Sequence, residues 1–212
     1  MMQSKPRKIA LFGATGALGR EFLKIILGGD YAVQALACSP KKLAPFDCPH
    51  LEIMQGDATS TADIRGLVRD SDLVVSCLGQ RRGQPLFMAQ AARDMLAAMA
   101  AQATPPHLIF ISSIGCGDTS RLIRYLLMLI GGRAAFLDAD RADAAIRAQS
   151  DVPYTLIRPY ALTHKPGTGH YKLLAHQTTF AKPIARADVA KVMLEAMKRP
   201  DWAGPKGLQL GG

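Results

Sequence analysis

The sequence predicts an α/β fold in which helices cover both faces of a parallel sheet. Short, almost wholly apolar runs recur along the chain, which suits strands buried on both sides. Stretches with apolar residues at helical spacing separate them. Three glycines, Gly13, Gly16 and Gly19, stand three apart where the first run gives way to the first helical stretch. A Rossmann-like doubly wound sheet satisfies such alternation, here as a single domain over residues 1–212.

The elements follow in order. KIALFG (8–13) reads as a buried strand. Leu18, Phe22, Ile25 and Ile26 share a helix face over 17–27, and Gly28–Gly29 stop that helix. YAVQALAC (31–38) and LEIMQG (51–56) are the second and third strands. Ser60 and Asp63 have the spacing of a capping box, opening a helix to about Arg69. DLVVSCLG (72–79) is the fourth strand, and Met88, Ala91, Ala92, Met95 and Met99 stripe the next helix. HLIFISS (107–113) is the fifth strand. A helical region over 120–149 follows, interrupted at Gly131–Gly132. YTLIRP (154–159) is the sixth strand, Val189, Val192, Met193 and Ala196 stripe a late helix, and GLQL (207–210) closes the chain as a last strand.

Composition narrows the function classes. Hydrophobic residues make up 49% of the chain, enough for a large core, and charged residues 20%. The net charge is +9, but the basic residues are scattered, as at Arg81–Arg82, Arg121 and Arg124. No basic tract interleaved with aromatics points to nucleic acid. A solvated basic surface accounts for the charge, with steering of an anionic cofactor or substrate as the alternative. Cys38, Cys48, Cys77 and Cys116 form no CxxC pair and read as free thiols of a reducing compartment. His164, His170 and His176 recur every six residues, which does not gather metal ligands on one helix face, so no metal is expected. The apolar run from Tyr125 is far too short to span a membrane, and the expected address is the cytoplasm.

The glycines carry the first functional argument. Gly13 serves the turn's backbone conformation, Gly16 lets a ligand approach, and Gly19 lets the helix pack on the strand. The helix then presents unpaired amides and partial positive charge to an anion, and a pyrophosphate fits. Strand two ends without the carboxylate that would bind the ribose of NAD, while Lys41 and Lys42 lie close by. NADP is therefore favoured over NAD.

At this point the chain resembles the atypical short-chain dehydrogenase/reductase superfamily, within it the NmrA-like and flavin (biliverdin) reductase-like NAD(P)H-binding proteins. The residues that carry the likeness are GATGALG (13–19), GDAT (56–59), VVSCLG (74–79), FISSIGCGD (110–118), YTLIRPYAL (154–162) and IARADVAKVMLEAM (184–197). The resemblance implies that Thr15, Gly16, Ala17 and Leu18 line the pyrophosphate. It puts Cys38, Ser39 and Lys42 at the adenosine ribose, and Asp57 and Ala58 at adenine. Ser76, Cys77, Leu78 and Gly79 would follow the inner ribose, with Pro159, Tyr160 and Leu162 beside the nicotinamide. The substrate region would be drawn mainly from about 113–175.

Two departures bear on chemistry. Relatives often carry Arg where Cys38 stands, which passes phosphate recognition to Lys41 and Lys42. The superfamily's acid is a Tyr followed four residues later by Lys. The tyrosines here are followed at that distance by Ala35, Leu129, Arg158, His164 and Ala175. Direct hydride transfer from NADPH to a flavin, a quinone or a similar conjugated acceptor needs no such pair, because the acceptor takes its proton from solvent. A non-catalytic NAD(P)-binding redox sensor or regulatory protein is the alternative, and a structural subunit that has lost turnover is a third.

Ser113 matches the family's active-site serine, with Ser112 beside it; a strand-end serine closing a turn is the other reading. Asp143 orients Ser113 or joins a proton relay, or lies with Asp140 on a helix surface. Arg158 binds an anionic substrate at the mouth, or pairs with a nearby aspartate. Cys77 and Cys116 lack a basic neighbour in sequence and read as buried thiols. The segment 121–136 is a buried helix, or else a lid or dimer surface, so the chain is a monomer or homodimer. The loop 162–174 brings His164, His170 and Tyr171 toward substrate.

Overall fold

The computed structural model describes residues 6–80, 83, 85–117, 124, 125, 128, 129, 132–149, 151–174 and 182–212, without the side chains of 205 and 206. Eight strands form one sheet. In chain order they are β1 (Arg7–Phe12), β2 (Tyr31–Ala37), β3 (Leu51–Gln55), β4 (Leu73–Ser76), β5 (His107–Ile111), β6 (Tyr154–Pro159), β8 (Lys172–Leu174) and β10 (Gly204–Gly211). Their spatial order is β3-β2-β1-β4-β5-β6-β10-β8. All neighbours run parallel except β10 and β8, so the expected parallel sheet carries an antiparallel edge. The first six strands have the 3-2-1-4-5-6 order of the doubly wound Rossmann-like fold.

The strands are short and apolar because both faces are dry. Every residue of β4 and β6 is buried. On one face, α1 (Ala17–Ile26) packs beside α5 (Arg186–Ala196), and Leu18, Phe22, Leu23 and Ile26 meet Val189, Val192 and Met193 over Ile9 and Leu11. On the other, α2 (Thr61–Val68), α3 (Met88–Ala100) and α4 (Arg133–Ala148) cover Phe12, Val74 and Phe110 with Ile64, Met95, Met99 and Ile146. Each large apolar side chain so buried contributes about 1.5–3 kcal/mol.

Local chemistry sets the boundaries. Helix α1 ends before Gly28–Gly29, as expected. Helix α2 starts at the cap that Ser60 supplies, with the Asp63 amide donating to Ser60 Oγ at 3.3 Å. The Asp63 carboxylate does not turn back to Ser60, as a full capping box requires. It accepts from the Asp57 amide at 2.9 Å and fixes the turn after β3. A 3₁₀ turn over Pro40–Phe46 follows β2.

The region 120–149 follows the expectation where it is described: Arg124, Tyr125, Met128 and Leu129 are helical, and after the break at Gly132, with φ +88°, helix α4 begins at Arg133. Most of 118–131, including Arg121 and Gly131, lies outside the described residues, and with it the reading of 121–136 as buried helix, lid or dimer surface. The segment 162–174 is not all loop. It contains β7 (Leu162–Thr163), paired with β9 (Ile184–Ala185), and the edge strand β8. Strands this short carry no period, so sequence pattern cannot reveal them.

Candidate functional site

A crevice of about 610 Å³ opens at the carboxyl ends of β1 and β4, where the strand order reverses. Gly13, Gly16, Ala17 and Leu18 form one wall. Gly13 has φ +76°, and a Cβ there would lie 2.7 Å from the carbonyl of Cys77. A Cβ on Gly19 would lie 2.3 Å from the carbonyl oxygen of Gly13. Gly16, exposed at the N-cap, is the one of the three whose surroundings are open toward the crevice. The first turn of α1 has neither a side-chain cap nor an acidic residue. Its leading amides thus lack an acceptor and point into the crevice.

The other walls come from the ends of β2, β3 and β4. Cys38 is exposed there, and its thiol donates to Asp57 Oδ2 at 3.3 Å. Asp57 Oδ1 accepts from the Thr59 amide at 2.8 Å. Ala58, Cys77, Leu78 and Gly79 complete these walls. Burial pushes the Cys77 thiol up to about 12 and, with Asp143 nearby, the Cys116 thiol to about 11, so neither is a thiolate at neutral pH. Iodoacetamide should therefore modify Cys38 in preference to Cys77 and Cys116, and a nucleotide in the crevice should slow that modification; peptide mapping with and without NADPH reads both.

Two buried polar atoms of this region lack partners. Ser76 Oγ, at the end of β4 beside the wall residue Cys77 but not itself on the wall, is fully buried and makes no hydrogen bond. Arg186 Nη1 is buried without a partner, and Arg186 lines the crevice from the start of α5. Sequence reasoning assigned Arg186 no role; its signal is a cation opening a helix that otherwise packs on the core. Helix α3 is different. Asp138, on α4, accepts from the Met88 and Ala89 amides at 2.8 and 3.3 Å and closes that helix start.

Several expected residues stand off the crevice wall. Thr15 is half-buried in the turn, and Ser39 is exposed before the 3₁₀ turn. Lys42 lines a neighbouring cavity. Pro159 is buried, while Tyr160 and Leu162 are half-buried beyond β6. Tyr171 donates its hydroxyl to Glu195 and is tied to α5 instead of facing a substrate. His164 lines the neighbouring cavity, His170 is exposed, and His176 lies outside the described residues. Among the described residues no group of His, Cys, Asp and Glu is placed to hold a metal.

The serine loop after β5 rests on a buried charge cluster. Asp143 does not reach Ser113. It accepts from Ser112 Oγ at 2.7 Å, from Arg158 Nε and Nη2 at 2.9 and 2.7 Å, and from Arg147 Nε at 2.9 Å. Asp143 is 0% exposed and Arg158 only 3%, so Arg158 is no mouth residue and Asp143 no surface acid. Burial alone would raise the Asp143 carboxyl, but the Arg158 hydrogen bonds and charge, with Ser112 and Arg147, hold it below its ordinary range. These donors hold it as an anion. Gly117 and Gly207 make room for the guanidinium: a Cβ on either would lie 2.9 or 2.5 Å from it. Asp140 accepts from the Gly117 amide at 3.2 Å and pairs with Arg124 at 2.6 Å. Ser113 Oγ donates to the Ile114 carbonyl at 3.2 Å, leaving its lone pairs open.

The fold is similar to that of known proteins. A short-chain dehydrogenase/reductase of Veillonella parvula, solved with NADP, superposes with a TM-score of 0.82 at 15% identity, over 97% of this chain and 94% of that one. An anaerobilin reductase of Escherichia coli O157:H7 gives 0.76 at 24% identity, over 96% of each chain. An uncharacterized chloroplastic protein of Arabidopsis thaliana is 26% identical over 205 residues, covering 91% of this chain and 72% of that one. Among the described residues no helix is long and apolar enough to cross a membrane. The family model described as NAD(P)H-binding matches residues 13–200, the span that runs from the glycine turn through α5, and the chain belongs to that NAD(P)H-binding family.

Proposed function

We propose that this chain is an NADPH-dependent reductase of a flavin, a quinone or a similar conjugated acceptor. The observation that supports it most is the crevice: the uncapped N-terminus of α1 meets it, with buried Arg186 Nη1 on its wall without a partner. A pyrophosphate and its riboses suit those donors in kind and place. The exposed Lys41 and Lys42 near the end of β2 favour a 2′-phosphate, hence NADPH. The fold shared with an anaerobilin reductase and with an NADP-bound protein agrees with this reading. The four free thiols suit a reducing, cytoplasmic setting.

The nicotinamide, when bound, supplies the reducing equivalent. The protein's share is orientation and exclusion of water. Ser113, in the 112–117 turn, swings its hydroxyl hydrogen from the Ile114 carbonyl to donate to an acceptor carbonyl. Ser112, fixed by Asp143, holds that turn in place. Without a Tyr–Lys pair, the acceptor's proton comes from solvent.

The missing Tyr–Lys pair also suits a dinucleotide-binding redox sensor. One assay separates the two. The protein is mixed with NADPH and FMN, dichlorophenolindophenol or small quinones, and the nicotinamide absorbance is followed. Turnover is expected, and Ser113→Ala should lower kcat about tenfold to a hundredfold while NADPH affinity stays unchanged. Tight NADPH binding without oxidation across the panel establishes the sensor; no binding of either nicotinamide dinucleotide overturns both.

A further inference from the structure

Among the described residues the large apolar side chains left exposed are Leu86, Tyr125, Leu129 and Leu173, at 48, 60, 65 and 45%. All four stand at the carboxyl edge of the sheet, the end at which the crevice opens. Leu86 follows β4 and lies between Pro85 and Phe87, which line the crevice. Tyr125 and Leu129 follow β5, four apart in helical conformation and so on one face. Arg124 beside them ties that segment to the serine turn, donating to the Gly117 carbonyl at 3.3 Å and to Asp140 at 2.6 Å. Leu173 on β8 pairs with Leu210, next to the last residue of β10, and β10 runs parallel to β6.

Charge divides along the same axis. Arg133 opens α4, Lys165 lies between β7 and β8, and Lys172 opens β8. The Lys182 carbonyl accepts from the Gly212 amide at 3.1 Å, beside the end of β10. All four cations are exposed at the carboxyl edge and make no ion pair with any described residue. The acids nearby are engaged. Asp140 holds Arg124 and the Gly117 amide, and buried Asp188 accepts from the Thr168 and Gly169 amides at 2.9 Å each. The opposite end is mixed in sign. Arg7, Lys8, Arg69, Lys198 and Arg199 stand there among Asp30, Asp70, Asp72, Asp151 and Asp201, which precede β2, β4, β6 and β10. Part of the chain's net charge of +9 is therefore carried by unpaired cations around the apolar tips.

We propose that the carboxyl edge of the sheet docks on an anionic lipid surface. Leu86, Tyr125, Leu129 and Leu173 enter the headgroup boundary, and Arg133, Lys165, Lys172 and Lys182 meet the lipid charge. Charge complementarity selects this occupant. A second copy would set like charges face to face. A folded protein partner needs a contiguous apolar core at its interface. These tips come instead from three separate segments. They are spread from β4 to β8, four strand spacings or about 19 Å. A fluid surface accommodates such separate anchors. The docking stands without the proposed function; only its use, delivery of a lipid-dissolved acceptor to the crevice mouth, rests on that reading.

The test mixes the whole chain with vesicles of phosphatidylcholine and phosphatidylglycerol, or of phosphatidylcholine alone. No nucleotide is added, so the result is independent of turnover. The chain should cosediment with the anionic vesicles only, and salt should release it. Lys172→Gln/Lys182→Gln and Leu129→Ser/Leu173→Ser replace exposed side chains, and their melting curves are first matched to wild type. Each should weaken vesicle binding about tenfold or more. Arg69→Gln/Lys198→Gln removes the same charge from the opposite end and should change binding about twofold at most. Fluorescence reads the orientation. Trp202, the single tryptophan, lies just before β10 at the opposite end. Brominated acyl chains should quench Leu129→Trp and leave wild-type emission unchanged. No binding to anionic vesicles overturns the docking, as does equal loss in Arg69→Gln/Lys198→Gln. Quenching of wild-type Trp202, or none at Leu129→Trp, also overturns it. A dimer without lipid that Leu129→Ser/Leu173→Ser dissociates gives the face to a second copy and overturns it too.

Discussion

Asp143→Ala should destabilise the protein by about 3–5 kcal/mol, measured as the shift of its urea midpoint at constant m-value. The variant removes from the guanidinium of Arg158, in a fully buried strand, the carboxylate that accepts two of its hydrogen bonds. It also frees Ser112 Oγ and Arg147 from their acceptor. Removing both partners should cost less than removing one. Asp143→Leu/Arg158→Met deletes the uncompensated charge and is expected to recover a good part of the loss. A single-variant effect below about 1 kcal/mol would show that water reaches the cluster and that the pair contributes as a surface bridge does.

The same cluster sets a pH dependence. The folded carboxyl titrates below its unfolded counterpart, so its stabilisation is fully present above the unfolded value. It is lost as the pH falls through the folded value. Wild type should thus lose stability in acid over that interval, and Asp143→Leu/Arg158→Met should lose less. Thermal melts across the acid range, compared pairwise, isolate this contribution.

How far the chain could be read without its structure depends on the kind of signal. Strands β1 to β6 and helices α1, α2, α3 and α5 are legible because a dry parallel sheet needs apolar runs, and a one-sided helix needs a stripe. Strands β7, β8 and β9 are not, since two or three residues carry no period. The acids of α4 are the instructive case. Asp140 and Asp143 read as a helix surface, yet they and Asp138 each have an inward partner: the start of α3 for Asp138, Arg124 with Gly117 for Asp140, and Arg158 for Asp143. A clue did exist. Arg158 interrupts the apolar run YTLIRP, and a cation there obliges a buried carboxylate elsewhere, although sequence does not say which one. Arg186 illustrates the opposite limit. Only the meeting of α5 with α1 brings it to the crevice, and that meeting is a product of topology.

The glycine turn supplies the second large effect, because one added methyl acts differently at positions three apart. Gly19→Ala places a Cβ 2.3 Å from the Gly13 carbonyl oxygen, with backbone on both sides and nothing flexible to yield. Helix α1 must lift from β1, at about 1–3 kcal/mol, and its first amides leave the crevice with it. Stability and dinucleotide affinity should fall together. Gly16→Ala places its Cβ 3.2 Å from the same oxygen at an exposed N-cap, so folding should change by about 1 kcal/mol at most. That methyl nevertheless points to where the phosphates need the bare amides, and NADPH affinity should drop about tenfold or more. Calorimetric titration beside a thermal melt reads both variants. If Gly16→Ala binds NADPH as wild type does, the anion is not held by the start of α1. The buried, unpartnered Arg186 Nη1 would then need another ligand, since an orphaned donor in a dry wall costs stability whichever molecule it awaits.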